Sequence, residues 1–446
     1  MGSMWAAHYF GMGQNINRMI DWSMEEQKWD FVGAGWALRA WSLFEATNIY
    51  NNLILREAFN TSQQTFNYEN QDEIYDSVRA ICHRAIEYFD MPGGNKDPQV
   101  FASADFYFNG GDLELWKKFV YGILARSYAY INNKPGYSAD SVIKYANLSS
   151  TTNAENITCK FANTGITGTS NYFGPLRGNV GTIRQSAFIA NLMSGLDPLA
   201  FNGVEDPRTW YMLRENTNLT FKGIIPGQNA TNSGIANAAD QPQNFWGGTF
   251  GSTASPAGPQ QGRYIFRNEV EFPIMTASEM KFLLAEALLK DGDADGALTA
   301  YRDGISLNFD MLTTKYNVNI PAGMEIDGTK KDDYINNVAI VPATSGELTL
   351  TMIMLQKYIA LFGWGMHQTW VDMRRYHYTD DDPATGQNIY ASFTPPVGNL
   401  FDDNQGEFVY RARPRYNSEY LYNINALEGV GAFDLNYHTK KTWFAE

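Results

Sequence analysis

The stretch from Pro273 to Ile305 constrains this chain more than any other. Apolar residues recur there at helical spacing, first at Met280, Leu283, Leu284 and Leu288, then at Ala297, Leu298, Tyr301 and Ile305. A short acidic turn, Asp291 to Asp295, separates the two runs. The pattern predicts two antiparallel amphipathic helices and no strand within residues 273–305. Small residues fall where the helices would cross: Ala285, Ala297 and Gly304, with Tyr301 among them. Small side chains at a crossing let two backbones approach, and a large ring fills the space beside them. The most patterned part of the chain therefore describes a scaffold rather than chemistry.

The pattern recurs. Ser127, Ala139, Ile143 and Ala146 repeat the offsets of Ala285, Ala297, Tyr301 and Gly304. Small, small, bulky, small at one spacing, twice, is the signature of a tetratricopeptide-like helix pair, a unit that stacks on its neighbours. Further helices are expected over Gly35–Phe59, Gln71–Phe89 and Thr349–Trp370. The last is the most membrane-like segment, but Gln356 and Lys357 in its middle mark a buried helix instead of a span. Residues 151–272 lose all periodicity and turn to Gly, Asn, Ser and Thr with scattered aromatics, and residues 306–346 form a second irregular excursion. Residues 380–446 read as loops and short helices packed on the array. The expectation is one all-α domain over 1–446. It would comprise an N-terminal helical part (1–150), a loop-rich ligand-binding insertion (151–272) and C-terminal helix pairs and loops (273–446).

The net charge is −14, from 34 basic and 48 acidic residues, with no basic tract. That argues against a nucleic-acid backbone as partner. Aromatics make up 14% of the chain, with 11 Trp and 26 Tyr, more than a helical array needs for its core. Some of them are expected to line a surface that binds something flat or ring-shaped. The two cysteines, Cys82 in an expected helix and Cys159 in a polar loop, are read as free thiols. Met1-Gly2-Ser3-Met4 shows no signal peptide and looks like a cloning remnant or a trimmed start.

Catalytic signatures fail one by one. Gly11-Met12-Gly13 and Gly33-Ala34-Gly35 lack the third glycine of a dinucleotide loop. The five histidines have no zinc spacing, and there is no nucleophile elbow. Asp291–Gly296 imitates the start of a calcium loop, but Arg302 stands where the bidentate Glu belongs. Asp380-Asp381-Asp382 and Asp402-Asp403 are better candidates for a structural calcium, against the commoner reading of exposed acidic turns. No other cofactor is expected. Arg374-Arg375 and the Arg411, Arg413, Arg415 cluster could grip an anion, although ion pairing within the fold, with Asp372 and Glu419 near in sequence, is the simpler reading.

Several segments together resemble the SusD/RagB outer-membrane nutrient-binding lipoproteins of Bacteroidetes. Glu279-Met280-Lys281-Phe282-Leu283-Leu284-Ala285-Glu286-Ala287 is similar to the family helix that follows a proline and precedes an acidic glycine turn. Leu355 to Phe362 resembles its QKWIAL helix, with Tyr358 for the usual Trp, and Trp370-Val371-Asp372-Met373-Arg374-Arg375 its W-x-D-x-R-R. Arg413 to Glu419 resembles its R-x-x-YP-x-x-E with Asn417 in place of proline, and Leu38-Arg39-Ala40 its LRA. The tyrosine-rich motif after LRA is only partly kept at Tyr50–Ile54, and the family's lipidated cysteine has no counterpart in this sequence.

The resemblance implies an all-α fold of tetratricopeptide-like helix pairs with long loop insertions. It implies a lipid-anchored position on the extracellular face of the outer membrane, and delivery of a captured oligosaccharide to a SusC-like TonB-dependent transporter. It implies binding without catalysis. A peptide-binding member of the same family, an all-α glycoside hydrolase and a plain assembly scaffold are the alternatives.

Within the loops, rings next to amides and guanidinium groups suit a pyranose, which offers C–H groups on its face and hydroxyls at its rim. The candidates are Trp246 with Asn244, Trp210, and Tyr172 with Phe173 and Arg177. Use of aromatics upstream of LRA in the family adds Trp22 or Tyr9. Ordinary packing is the competing reading for each.

Overall fold

In the computed structural model, which describes residues 2–254, 261–396, 398 and 400–446, helices dominate and pair as neighbours in sequence. The chain gathers into two compact units. The first holds Met1–Ser149, Trp370–Tyr378 and Val397–Glu446; the second holds Ser150–Thr369 and Thr379–Pro396.

In the first unit, α1 (Gly2–Ala6) runs through a π turn at Ala7–Gly11 into α2 (Met12–Glu25). α2 packs on α3 (Trp29–Tyr50), which pairs in turn with α4 (Gln71–Asp90). After the short α5 (Pro98–Ala104), α6 (Leu113–Ala129) pairs with α7 (Ala139–Leu148). Caps fix these starts: Asp112 accepts from the Glu114 and Leu115 amides, and Ser138 from Ser141. α3 starts earlier than the expected Gly35 and ends at Tyr50 rather than Phe59. Asn51 takes φ +71, which no helix can continue, and its Oδ1 accepts from the Trp443 amide. The α6–α7 pair is phased only in part as expected. Ser127 and Ala146 are buried, but Ile143 is half-buried and its neighbours Val142 and Tyr145 face the core.

The second unit opens with β1 (Ile157–Phe161) and contains the short helices α8 (Ala187–Met193) and α9 (Thr209–Met212). β1 pairs antiparallel with β2 (Val270–Met275), Cys159 opposite Phe272. Two expectations are corrected here. Cys159 lies on a strand rather than in a loop, and residues 273–275, placed in the helix pair by sequence, end β2. The pair begins one turn later, where Thr276 caps α10 (Ala277–Asp291) by accepting from the Glu279 amide. Asp293 caps α11 (Ala294–Lys315) in the same way through Gly296.

The α10–α11 crossing is as the small residues require: Ala285, Ala297, Tyr301 and Gly304 are all buried. A Cβ on Gly304 would lie 3.0 Å from the Phe282 ring. The Tyr301 hydroxyl donates to Ile340 O at 2.7 Å, outside the pair. α11 continues ten residues past Ile305, and α12 (Gly328–Ile335) sits in the stretch expected to be irregular. The expected helix Thr349–Trp370 is two: α13 (Leu350–Ala360) and α14 (Met366–Arg375). Gly363 at φ +81 turns the chain between them. Gln356 and Lys357 are buried, and Gln356 joins Arg208 at 2.7 Å and the Tyr334 hydroxyl at 2.9 Å. Among the described residues no helix is long and apolar enough to cross a membrane. Cys82 and Cys159 are free.

The end of the chain closes the first unit through α15 (Glu419–Tyr422), α16 (Ile424–Gly429) and backbone bonds such as Ala412 N to Ile49 O at 2.8 Å.

Candidate functional site

The π turn at Ala7–Gly11 shapes an open cleft in the first unit. A π turn widens the helix by one residue and forfeits i→i−4 bonding, so it persists where something else fixes it. Here the next turn does: a Cβ on Gly13 would lie 1.9 Å from the His8 carbonyl oxygen, so only glycine fits under the widened turn. The turn carries Tyr9 and Phe10 side by side. Opposite them runs the loop that follows α3. The two walls enclose about 410 Å³.

The rings grade from floor to rim. Trp5 is buried and packs edge-on to Tyr50, with centroids 5.0 Å apart. Tyr9 lies between Trp5, at 5.1 Å, and Phe59, at 6.1 Å. Phe10 is 79% exposed at the mouth, and Phe66 completes the wall. Gln14, Asn60, Thr61 and Gln63 supply amides and a hydroxyl around the rings, with Arg415, Ser418 and Glu419 at the far side.

Each wall is braced. The Tyr9 hydroxyl donates to Ile54 O at 2.9 Å and accepts from Ile54 N at 2.8 Å, pinning the loop. Burial pushes this hydroxyl well above the ordinary tyrosine range, so it stays protonated. Arg39, the arginine of Leu38-Arg39-Ala40, lies 4.3 Å from the Phe59 ring centre and donates to Gly13 O at 3.2 Å and to Asn17 Oδ1. Burial lowers Arg39 only to about 10, so it remains a cation. His8 bonds Ser42 Oγ through Nδ1 at 2.7 Å. Burial, with Arg39 nearby, lowers its pKa to about 3 and keeps it neutral. Phe59 itself sits at φ +67, an uncommon backbone state for a non-glycine residue. Glu419 accepts from Tyr68 at 2.6 Å, Ser418 at 3.0 Å and Asn423 at 3.1 Å, while Asn423 Oδ1 accepts from the Phe66 amide.

A second cleft of about 380 Å³ lies further along α2. Trp22, 64% exposed, stands in it with Asn15, Arg18, Met19 and Phe31. The Glu26–Lys28 ion pair, 2.5 Å, closes its end.

The sequence-based candidates of the second unit fare differently. Trp246 is 1% exposed and its Nε1 donates to Phe173 O at 2.8 Å. Asn244 is buried; its Oδ1 accepts from the Trp246 and Gly248 amides and its Nδ2 donates to Ser252 O and Ala254 O. Trp210 is 7% exposed, edge-on to Phe221 at 4.7 Å. These three were expected to face a ligand because they lack helical periodicity. In the structure the loop segment builds its own core, and these three side chains are buried inside it. Phe173 is half-buried against Phe266 and Phe272. Arg177 donates to Ser170 O and Gly168 O of its own loop. Tyr172, 56% exposed, remains accessible. Of the candidates, only Trp22 and Tyr9 line a described cleft. Phe10, Phe59 and Phe66 also line the first cleft and are not singled out by the sequence; Phe59 falls at the end of an expected helix that stops at Tyr50 in the structure.

Apart from Arg415, which lines the first cleft, the arginines of these motifs are held by contacts within the fold. Arg374 donates to Asn48 O and Tyr410 O, both at 2.7 Å, with its guanidinium 3.6 Å from the Trp370 ring centre. Arg375 pairs with Asp372 at 2.9 Å, and Arg411 and Arg413 grip carbonyls of residues 432–441. Glu419 bonds Tyr68, Ser418 and Asn423, the partners given above. Asp382 accepts from the Thr351 and Ala384 amides. Among the described residues no three His, Cys, Asp or Glu side chains converge to hold a metal.

An open, ring-walled cleft with an amide rim, carried on helix pairs, has the chemistry to fit a molecule with flat apolar faces and polar edges. A SusD-like family, described as starch-binding and associating with the outer membrane, matches residues 1–393, and the chain belongs to it. The fold is shared with a SusD/RagB family protein of Bacteroides thetaiotaomicron (19% identity, all of this chain and 87% of that one, TM-score 0.68). It is shared also with a SusD homolog of Bacteroides fragilis (17%, 99% and 89%, TM-score 0.70). A chitin-binding SusD homolog of Flavobacterium johnsoniae matches at 20% identity over 99% of this chain and 86% of its own, TM-score 0.66. No curated protein sequence matches the chain significantly.

Proposed function

We propose that the protein captures a neutral glycan at the outer face of the outer membrane, without cleaving it, and passes it to a SusC-like TonB-dependent transporter. The observation that carries the reading is the cleft between the Tyr9–Phe10 turn and the Phe59–Phe66 loop. Its rings suit the C–H face of a pyranose, and its amides and hydroxyls suit the rim. The family's starch-binding description and a chitin-binding neighbour support glucose- or N-acetylglucosamine-based chains as ligands.

Two details weigh against the alternatives. Glycoside hydrolysis needs two carboxylates across the bond, and Glu419 is the one acid lining this cleft, with both oxygens already accepting bonds. Peptide capture by strand addition needs an unpaired backbone edge, and Ile54, the backbone beside Tyr9, has both its N–H and its C=O taken. The test is a titration against starch, chitin and other glycan fragments, with product analysis of each mixture. Binding without new reducing ends supports the proposal. Turnover that disappears when Glu419 is changed to Gln would replace it with an enzyme.

A further inference from the structure

The two clefts of the first unit share one helix. Gln14 ends the lining of the first and Asn15 begins the lining of the second. From the end of the π turn through α2 the exposed positions are 11, 15, 18, 21, 22, 24 and 25; of these 11, 15, 18, 22 and 25 fall on one stripe that the helix turns to solvent, with exposed Phe10 just before it. So a ring stands at each end, Phe10 and Trp22, with polar side chains between them. Twelve residues of helix put the two about 18 Å apart along the axis. The side chains between are available. Asn15 spends its amide nitrogen on Gly11 O, leaving the oxygen, and Gln14 and Arg18 are not engaged among the described residues.

Resting on the glycan reading above, we propose that α2 is a track. The first cleft seats one end of the ligand, the amides and guanidinium of Gln14, Asn15 and Arg18 meet hydroxyls, and Trp22 stacks on a sugar several units further on. The protein would then select for chain length, favouring oligosaccharides long enough to reach the second ring over disaccharides. The occupant is a linear, neutral oligosaccharide. Two exposed rings separated by Gln14, the Asn15 amide oxygen and Arg18 match its alternation of faces and rims, whereas an apolar helix or a lipid would leave those polar groups without partners.

Calorimetric titration with malto- and chito-oligosaccharides, disaccharide to heptasaccharide, tests this on the intact chain. Phe10 and Trp22 are both exposed, so Phe10→Ala and Trp22→Ala leave the core untouched. Wild-type affinity should climb with length. Phe10→Ala should weaken every ligand about tenfold or more. Trp22→Ala should weaken only the longer ligands by that factor, and Trp22→Tyr should restore most of the loss. If Trp22→Ala binds every length as wild type while Phe10→Ala is impaired, the track is wrong and the first cleft stands. If neither series binds, the glycan reading falls and the track with it.

Discussion

Gly13→Ala and Gly11→Ala, two residues apart on the same helical rod, should shift stability in opposite directions. In an ordinary helix each change gains up to about 1 kcal/mol, because alanine loses less backbone freedom than glycine. At Gly11 a new Cβ meets nothing closer than Ala6 O at 3.9 Å, so that gain should appear. At Gly13 it would sit 1.9 Å from His8 O and 3.0 Å from a Phe59 ring carbon. The first contact is backbone and cannot swing away, so the π turn must rewind. Overpacking of this kind costs about 1–3 kcal/mol, and with a rigid backbone the upper end applies. The net expectation for Gly13→Ala is a loss of about 2 kcal/mol, roughly thirtyfold in the folding equilibrium of this unit. Urea melts followed by tryptophan fluorescence would read both variants. Because rewinding moves Tyr9 and Phe10, Gly13→Ala should also weaken glycan binding at temperatures where it is folded. A Gly13→Ala protein as stable as Gly11→Ala, with unchanged binding, would refute the account of the π turn.

Other expectations follow from the same contacts. Trp246→Phe should cost about 1–3 kcal/mol through the bond lost to Phe173 O, yet leave glycan affinity within about twofold, since the ring is interior; a large affinity loss in folded protein would return the site to the second unit. Arg39→Ala removes the cation behind Phe59 and should weaken binding without touching the ligand; Arg39→Lys should rescue it poorly, because an ammonium cannot stack as a guanidinium does. Ala285→Leu should overpack the α10–α11 crossing and cost about 1–3 kcal/mol, read as a lower urea midpoint. His8 gives a pH signature. Its folded pKa of about 3 lies below the ordinary 6.5, so the unfolded chain binds the extra proton, and its contribution to stability is full above about pH 6.5 and fades as pH falls toward 3. A His8→Asn variant should show a shallower loss across that window, and an unchanged slope would contradict the buried neutral imidazole.

The helix pairs were legible in the sequence because burial on one face of a helix imposes a period, and small residues at crossings impose offsets. Ala285, Ala297, Tyr301 and Gly304 carried that information. Their counterparts in α6–α7 carried it less well, since Val142 and Tyr145 face the core where Ile143 was expected. Helix ends set by backbone geometry were not legible: nothing in Asn51 announces φ +71, and Gly363 reads as one glycine among many. Most of the site was hidden for a related reason. A loop aromatic carries no period, so sequence cannot tell Trp246, enclosed by its own loop, from Phe10, open at a cleft mouth. Tyr9 and Trp22 were reached through the resemblance around Leu38-Arg39-Ala40, and the structure shows a physical link to the first of them: Arg39 donates to Gly13 O, at the start of α2 just past the π turn, and lies against the back of Phe59.

The central claim is that the rings of the first unit, not those of the second, hold the ligand. Calorimetric titration of wild type and a Phe10→Ala, Phe59→Ala double variant with the glycan identified by the fragment screen tests it most directly. Truncating central stacking rings costs about 2 kcal/mol or more, so the double variant should bind at least about thirtyfold more weakly, with its helical signal intact and with little dependence on salt. Wild-type affinity in the double variant would contradict the account.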